Sequence, residues 1–135
     1  MKNLFIKFFT VLTAFIIAAG AAAQVPKLNS YGNASATIFL DFDGHLVSGT
    51  SWNVNGAFPC GPSQMNNTQI DEIFNRVAED FRPFNVNITT DSTKFLSAPL
   101  NKRMRIIVTD SSSWYGSAAG VAYVGSFSWG DDTPG

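Results

Sequence analysis

Histidine and cysteine each occur once in the 135 residues, as His45 and Cys60. A histidine-based zinc site draws on several imidazoles and cannot be assembled from this sequence alone. A single cysteine excludes an internal disulfide, so in an oxidising compartment Cys60 is free, bonded to another molecule, or bonded to a residue missing from this chain. Basic residues are sparse, and no run exceeds Lys102-Arg103. That excludes the clustered cationic footprint demanded by a phosphate backbone, and with it nucleic acid as a partner. Internal repeats are absent, and so is the glycine-flanked serine of a nucleophile elbow, which leaves Ser111-Ser112-Ser113 as a loop.

One long apolar run is present, at the amino terminus. Lys2 and Lys7 precede Phe8, Phe9, Val11, Leu12, Phe15, Ile16 and Ile17, and the run closes on small residues through Ala23. This is the pattern of a secretory signal peptide over residues 1–23. Ala21 and Ala23 occupy the small-residue positions that direct cleavage before Gln24. The run is short for a membrane span and no charged stop-transfer segment follows it, so no membrane association is expected after cleavage. The expected location is extracellular or periplasmic. Without Lys2 and Lys7 the chain keeps seven basic residues against ten acidic ones, a formal charge of −3.

Residues 24–35 are rich in Pro, Asn, Ser and Gly and read as a leader or linker. The domain begins near Ala36. Thr37-Ile38-Phe39-Leu40-Asp41-Phe42 is a short apolar strand ended by Asp43-Gly44. His45 to Met65 is a loose excursion with room for a short hairpin, anchored by Trp52 and Phe58. Ile70, Ile73, Phe74, Val77, Ala78 and Phe81 then recur at the three-and-four spacing of an amphipathic helix. Thr68, with Asp71 three residues on, is the expected amino-terminal cap, and Pro83 ends the helix. Asn85 to Thr90 alternates as a second strand. Arg103 to Thr109 carries the continuous run Ile106-Ile107-Val108, which predicts a strand buried on both faces. Gly120 to Phe127 is a fourth strand candidate.

The order strand, helix, strand, strand, strand predicts an α/β (α+β) domain: a twisted mixed sheet of about four strands with one amphipathic helix. A strand buried on both faces needs cover on both, and one helix supplies a single layer. The second helical layer is missing, so residues 36–135 are expected to be the front part of a longer, incomplete domain; the alternative is a small self-sufficient domain in which the His45 to Met65 excursion covers the second face.

Two carboxylates at a strand end, Asp41 and Asp43, can supply a nucleophile and an acid/base beside a metal ion. They give a superficial likeness to the haloacid dehalogenase-type phosphohydrolases. Thr109 fits that pattern and Asp131-Asp132 imitates its last acidic pair, but no Lys or Arg follows Arg105 to neutralise a phosphoryl group. Asp-x-Asp-Gly is also an ordinary strand-ending turn, and His45 an ordinary turn residue. Trp114 and Tyr115 suit packing over the sheet's end.

A wider likeness covers residues 37–134. Phe39-Leu40-Asp41-Phe42-Asp43-Gly44-His45 with Ser48 to Asn53, Val77-Ala78-Glu79-Asp80-Phe81-Arg82-Pro83-Phe84-Asn85-Val86, Ser113-Trp114-Tyr115-Gly116 and Gly120 to Phe127 together resemble secreted bacterial metzincin-type zinc metalloproteases. The resemblance implies a twisted sheet with one helix on one face and, on the other, a second helix bearing His-Glu-x-x-His-x-x-Gly-x-x-His. Three imidazoles there hold Zn²⁺ and the Glu activates its water. The sequence stops before that motif, which implies an amino-terminal part with no catalytic residue and no metal ligand of its own. Proteins or peptides are the implied partners, and Gly120, Val121, Ala122 and Tyr123 the implied substrate-binding edge strand. Calcium sites occur in such proteases, with Asp41, Asp43, Asp131 or Asp132 as candidates. The remaining class is a non-catalytic secreted binding module.

Overall fold

The computed structural model describes residues 24–129. The signal peptide expected over residues 1–23 and the Asp131-Asp132 pair lie outside the described residues. Chain order is β1 (Ala36–Asp41), β2 (His45–Val47), β3 (Phe58–Cys60), α1 (Asn67–Asp80), β4 (Val86–Thr89), α2 (Ser92–Ser97) and β5 (Arg103–Ile107), with short 3-10 turns at Leu100–Lys102 and Ser126–Trp129. It is a mixed α/β chain with a small parallel sheet and two helices. No helix among the described residues is long and apolar enough to cross a membrane.

β1 lies between β4 and β5 and pairs parallel with both, Ile38 opposite Ile88 and Met104, Phe39 opposite Thr89 and Arg105. Burial on both faces explains why β1 is the most apolar strand, with Ile38, Phe39 and Leu40 all inaccessible. Because side chains alternate along a strand, Ile38, Leu40 and Ile88 share one face and Thr37, Phe39 and Asp41 the other. On the first face α1 adds Ile70 and Phe74, completing the core with Phe42. On the second, the Phe95 ring of α2 stacks on Phe39 at 5.1 Å between centroids.

Several expectations change here. The central sheet is wholly parallel and three-stranded; the antiparallel pairing belongs to the β2–β3 hairpin, which joins His45 to Cys60 and Val47 to Phe58, and to the single bridge Asn29↔Thr89. The second face is not bare, because α2 covers it with one fully buried phenylalanine. β5 is not buried on both faces: Ile106, on the α1 side of the sheet, is 40% exposed. The α1 cap is Asn66, whose Oδ1 accepts from the Gln69 backbone N–H at 3.1 Å while Gln69 Oε1 accepts from the Asn66 N–H at 3.0 Å. This reciprocal box sets the cap two residues before Thr68, which therefore falls inside the helix. The carboxyl end comes as anticipated, with Asp80 the last helical residue before Pro83.

Residues 25–31 are not a loose linker. They run antiparallel along the outer edge of β4, where the Ser30 N–H donates to Ile88 O at 3.0 Å and the Thr90 N–H to Leu28 O at 3.1 Å. Val25 and Leu28 pack against the core. The strap shields the edge that β4 would otherwise present to solvent.

Phe95 is the principal apolar anchor of α2, and its ring meets Phe39, Arg103 and Arg105. Phe95→Ala is expected to cost about 3–5 kcal/mol in urea unfolding. A loss under about 1 kcal/mol would show that α2 does not cover the sheet in solution.

Candidate functional site

The carboxyl ends of parallel strands are where open α/β sheets gather ligands, and a polar cluster forms there. Asp41, the last residue of β1, is only 1% exposed. Its Oδ2 accepts from Arg105 Nη1 at 2.7 Å. Arg105 Nη1 also lies 3.0 Å from His45 Nδ1. Guanidinium is only a donor, so Nδ1 is the acceptor and the ring proton sits on Nε2. The guanidinium carbon stands 5.5 Å from the Phe39 centroid and 5.0 Å from that of Phe95, a cation–π arrangement on two rings.

A tight turn delivers His45 to this place. Gly44 has φ +92°, and a Cβ there would come within 3.0 Å of Cys60 O and Pro62 N. Only glycine combines that conformation with so close a backbone approach. The loop after β3 is fixed in turn, since Thr109 Oγ1 donates to Gly61 O at 2.7 Å and Ser111 Oγ accepts from the Gly61 N–H at 3.0 Å. Thr109 and Ser111 are thus tethers for the hairpin.

Burial and the hydrogen-bonding proximity of Asp43 push the Asp41 carboxyl up to about 6, against the lowering effect of Arg105. Asp41 Oδ1 has no hydrogen-bond donor among the described residues. Cys60 is buried with a free thiol, and its pKa is raised first by burial and then by the charge of Asp41. It has no reactive thiolate character. A side chain enclosed like Asp41 and held by a guanidinium cannot attack a phosphoryl group, so the Asp41/Asp43 phosphohydrolase reading gains no geometric support. No group of three or more His, Cys, Asp or Glu side chains among the described residues could hold a metal ion.

The second feature is a cavity of about 730 Å³ beside β5, floored by Ile106 and Val108 and walled by Trp52, Phe58, Trp114 and Tyr123. Phe58 stacks on Trp114 at 4.8 Å, Trp52 meets Trp114 edge-on at 5.6 Å, and Tyr123 lies 4.2 Å from Trp52. Tyr123 Oη donates to Ser51 O at 3.3 Å. The anchors anticipated in the excursion, Trp52 and Phe58, thereby join Trp114 and Tyr115 in one aromatic cluster.

Gly120, Val121, Ala122 and Tyr123 line this cavity. They do not form the expected strand: the backbone is irregular through Ala122, turns at Val124-Gly125 and ends in the 3-10 turn Ser126–Trp129. Tyr123 is held by Trp52 and Ser51, whereas β5 has β1 as its ladder partner. With glycine at both ends and no strand to pair with, the segment has little to keep it extended. Sequence reasoning missed the role of Arg105, whose one signal was a cation inside an apolar strand. In comparisons with known proteins, no family model, curated protein or solved structure matches this chain.

The raised Asp41 carboxyl has a consequence for stability. Between about pH 4 and 6 the folded chain keeps a proton that the unfolded chain has lost, so this group's contribution falls as pH rises through that window and levels above it. Asp91 acts in the opposite sense. Burial raises it, but the Thr93 N–H and Lys27 outweigh burial and lower it, so its contribution is lost as pH falls through the acid range. Urea midpoints measured from pH 4 to 7 are expected to show a weaker downward component in Asp41→Asn than in the parent. Equal slopes in both chains would assign that component to another group.

Proposed function

We propose that this chain is the amino-terminal part of the catalytic domain of an exported, metzincin-like zinc endopeptidase, acting on proteins or peptides. The observation that carries the reading is the apolar cavity beside β5, with Gly120, Val121, Ala122 and Tyr123 along its wall. Small residues there leave room for a peptide backbone, and the aromatic cluster offers contact to its apolar side chains. Coarse support comes from a parallel sheet with α1 packed on one face; the mixed sheet that the resemblance implies is not what the described residues form.

The residues in hand do not fit a catalytic zinc. His45 is the sole histidine and lies on Arg105, while the buried carboxylate nearest to it is paired with the same guanidinium. On this reading the metal ligands and the water-activating Glu lie beyond Gly135, and residues 24–135 supply sheet, core and part of the substrate cleft. The role of Asp41 is then to seat Arg105, with no part in bond cleavage.

Two measurements test the proposal. Reading the coding sequence past the Gly135 codon is expected to give an in-frame His-Glu-x-x-His segment; a stop codon at that point would overturn the reading and favour a binding module. Residues 24–135 alone are expected not to hydrolyse a casein substrate with or without added zinc. Chelator-sensitive hydrolysis by this chain would sink the assignment of the ligands to a later segment.

A further inference from the structure

The part of the cavity wall between Gly116 and Gly125 is fastened differently from the rest. Among the described residues, no backbone hydrogen bond reaches residues 117–124. All of these residues except the half-buried Val121 are exposed, Val124 completely. Both ends of the segment turn on glycine, with φ +95° at Gly116 and +75° at Gly125, and a Cβ at either position would meet nothing within 4 Å. Glycine is required there by conformation and not by space, so no neighbour resists a change of backbone angle. The flanks are fixed by contrast. The Gly116 N–H donates to Ser112 O at 2.9 Å, and Phe127 packs against the core beyond the second glycine.

One side chain ties the segment to the hairpin. The Tyr123 ring lies 4.2 Å from that of Trp52, and its Oη donates to Ser51 O at 3.3 Å. Its other partners, Ser126 Oγ at 2.8 Å from Tyr123 O and the Trp129 ring at 5.6 Å, belong to the segment's own carboxyl-side flank. An exposed neutral hydrogen bond and one ring contact each shift an opening equilibrium by about tenfold at most. A stretch with so few fastenings, set between fixed flanks, belongs to the low-stability end of a fold, from which moving elements are drawn.

We propose that residues 117–124 are a hinged lid on the apolar cavity, turning at Gly116 and Gly125 and held shut by Tyr123 on Ser51 and Trp52, so that Tyr123 governs how fast an apolar group enters and leaves. The inference rests on the reading of this cavity as the cleft of the proposed endopeptidase, and it concerns access alone. A lid and a rigid wall differ in kinetics. Removing a contact from a rigid wall weakens binding through dissociation, whereas releasing a lid raises association and dissociation together and leaves affinity nearly unchanged.

The test mixes residues 24–135 with N-phenylnaphthylamine, a neutral apolar dye, in a stopped-flow instrument. Trp52, Trp114 and Trp129 are the chain's three tryptophans and all line this cavity, so energy transfer from tryptophan to the dye reports binding there. In Tyr123→Ala both rate constants are expected to rise about tenfold while Kd changes less than about twofold. Val124→Ala, at the wholly exposed neighbour, is expected to match the parent. Faster dissociation with unchanged association, or an equal rise in Val124→Ala, would overturn the lid. Absence of dye binding by parent and variant alike would overturn both the cleft and its lid, and would leave the search for a His-Glu-x-x-His segment to judge the endopeptidase separately. Should the circular dichroism of Tyr123→Ala depart from the parent's, Tyr123→Phe decides. It removes only the bond to Ser51 O, and both rate constants are expected to rise about threefold; unchanged rates there would overturn the proposal as well.

Discussion

Seating the Arg105 guanidinium against the parallel sheet is the constraint on which the arrangement of the other elements depends. A largely buried cation needs a counter-charge, acceptors for its N–H groups and something to cover its flat faces. Asp41 at the end of β1 gives the charge, His45 on the hairpin gives a second acceptor, and Phe39 and Phe95 give the cover. Four elements, β1, β2, α2 and β5, are thereby referred to one planar group. Arg103, two residues earlier on the same side of β5, extends the pattern. It lies over Phe95 and donates to Leu96 O at 2.9 Å, meeting carbonyls that the end of a short helix leaves unpaired.

This view changes what Asp41-Phe42-Asp43-Gly44-His45 means. Two acids, a glycine and a histidine after an apolar strand are the composition of a reaction centre, and they are also what a buried arginine and a tight hairpin require. Their geometry agrees with the second use. Asp41 is enclosed, His45 spends its Nδ1 lone pair on Arg105, and Gly44 is confined by backbone atoms of the hairpin and the loop beyond it. The apolar cavity is floored by Ile106 and Val108, which alternate with the arginines along β5, and Arg105 also reaches its lining. The polar structural junction thus borders the surface proposed to meet substrate.

The parts of the fold legible in the sequence were those with a local, repeated signal. The α1 stripe and the apolar run of β1 persist over many residues, so packing and propensity agree. β4 was found as an alternation, and the hairpin as room between two anchors. What stayed hidden depends on partners far along the chain. The Asp41–Arg105 pair joins residues 64 apart. The strap's bonds join residues 56 to 64 apart and run through Asn, Ser and Thr, which locally signal turns. α2 is six residues long with one buried side chain, too short to show a period. The Gly120 to Phe127 expectation failed for the converse reason: a strand-like composition forms no strand without a ladder partner, and its aromatic residue is held elsewhere.

The strap also sets an order of events. Residues 25–31 are made before the sheet they complete, yet their contacts close loops of roughly 60 residues, among the most entropically costly in the structure. α1 and its packing on β1 involve shorter separations and can be in place earlier. The first folded residues of the chain to be synthesised are therefore among the last to be fixed, and until β4 has formed they have nowhere to go.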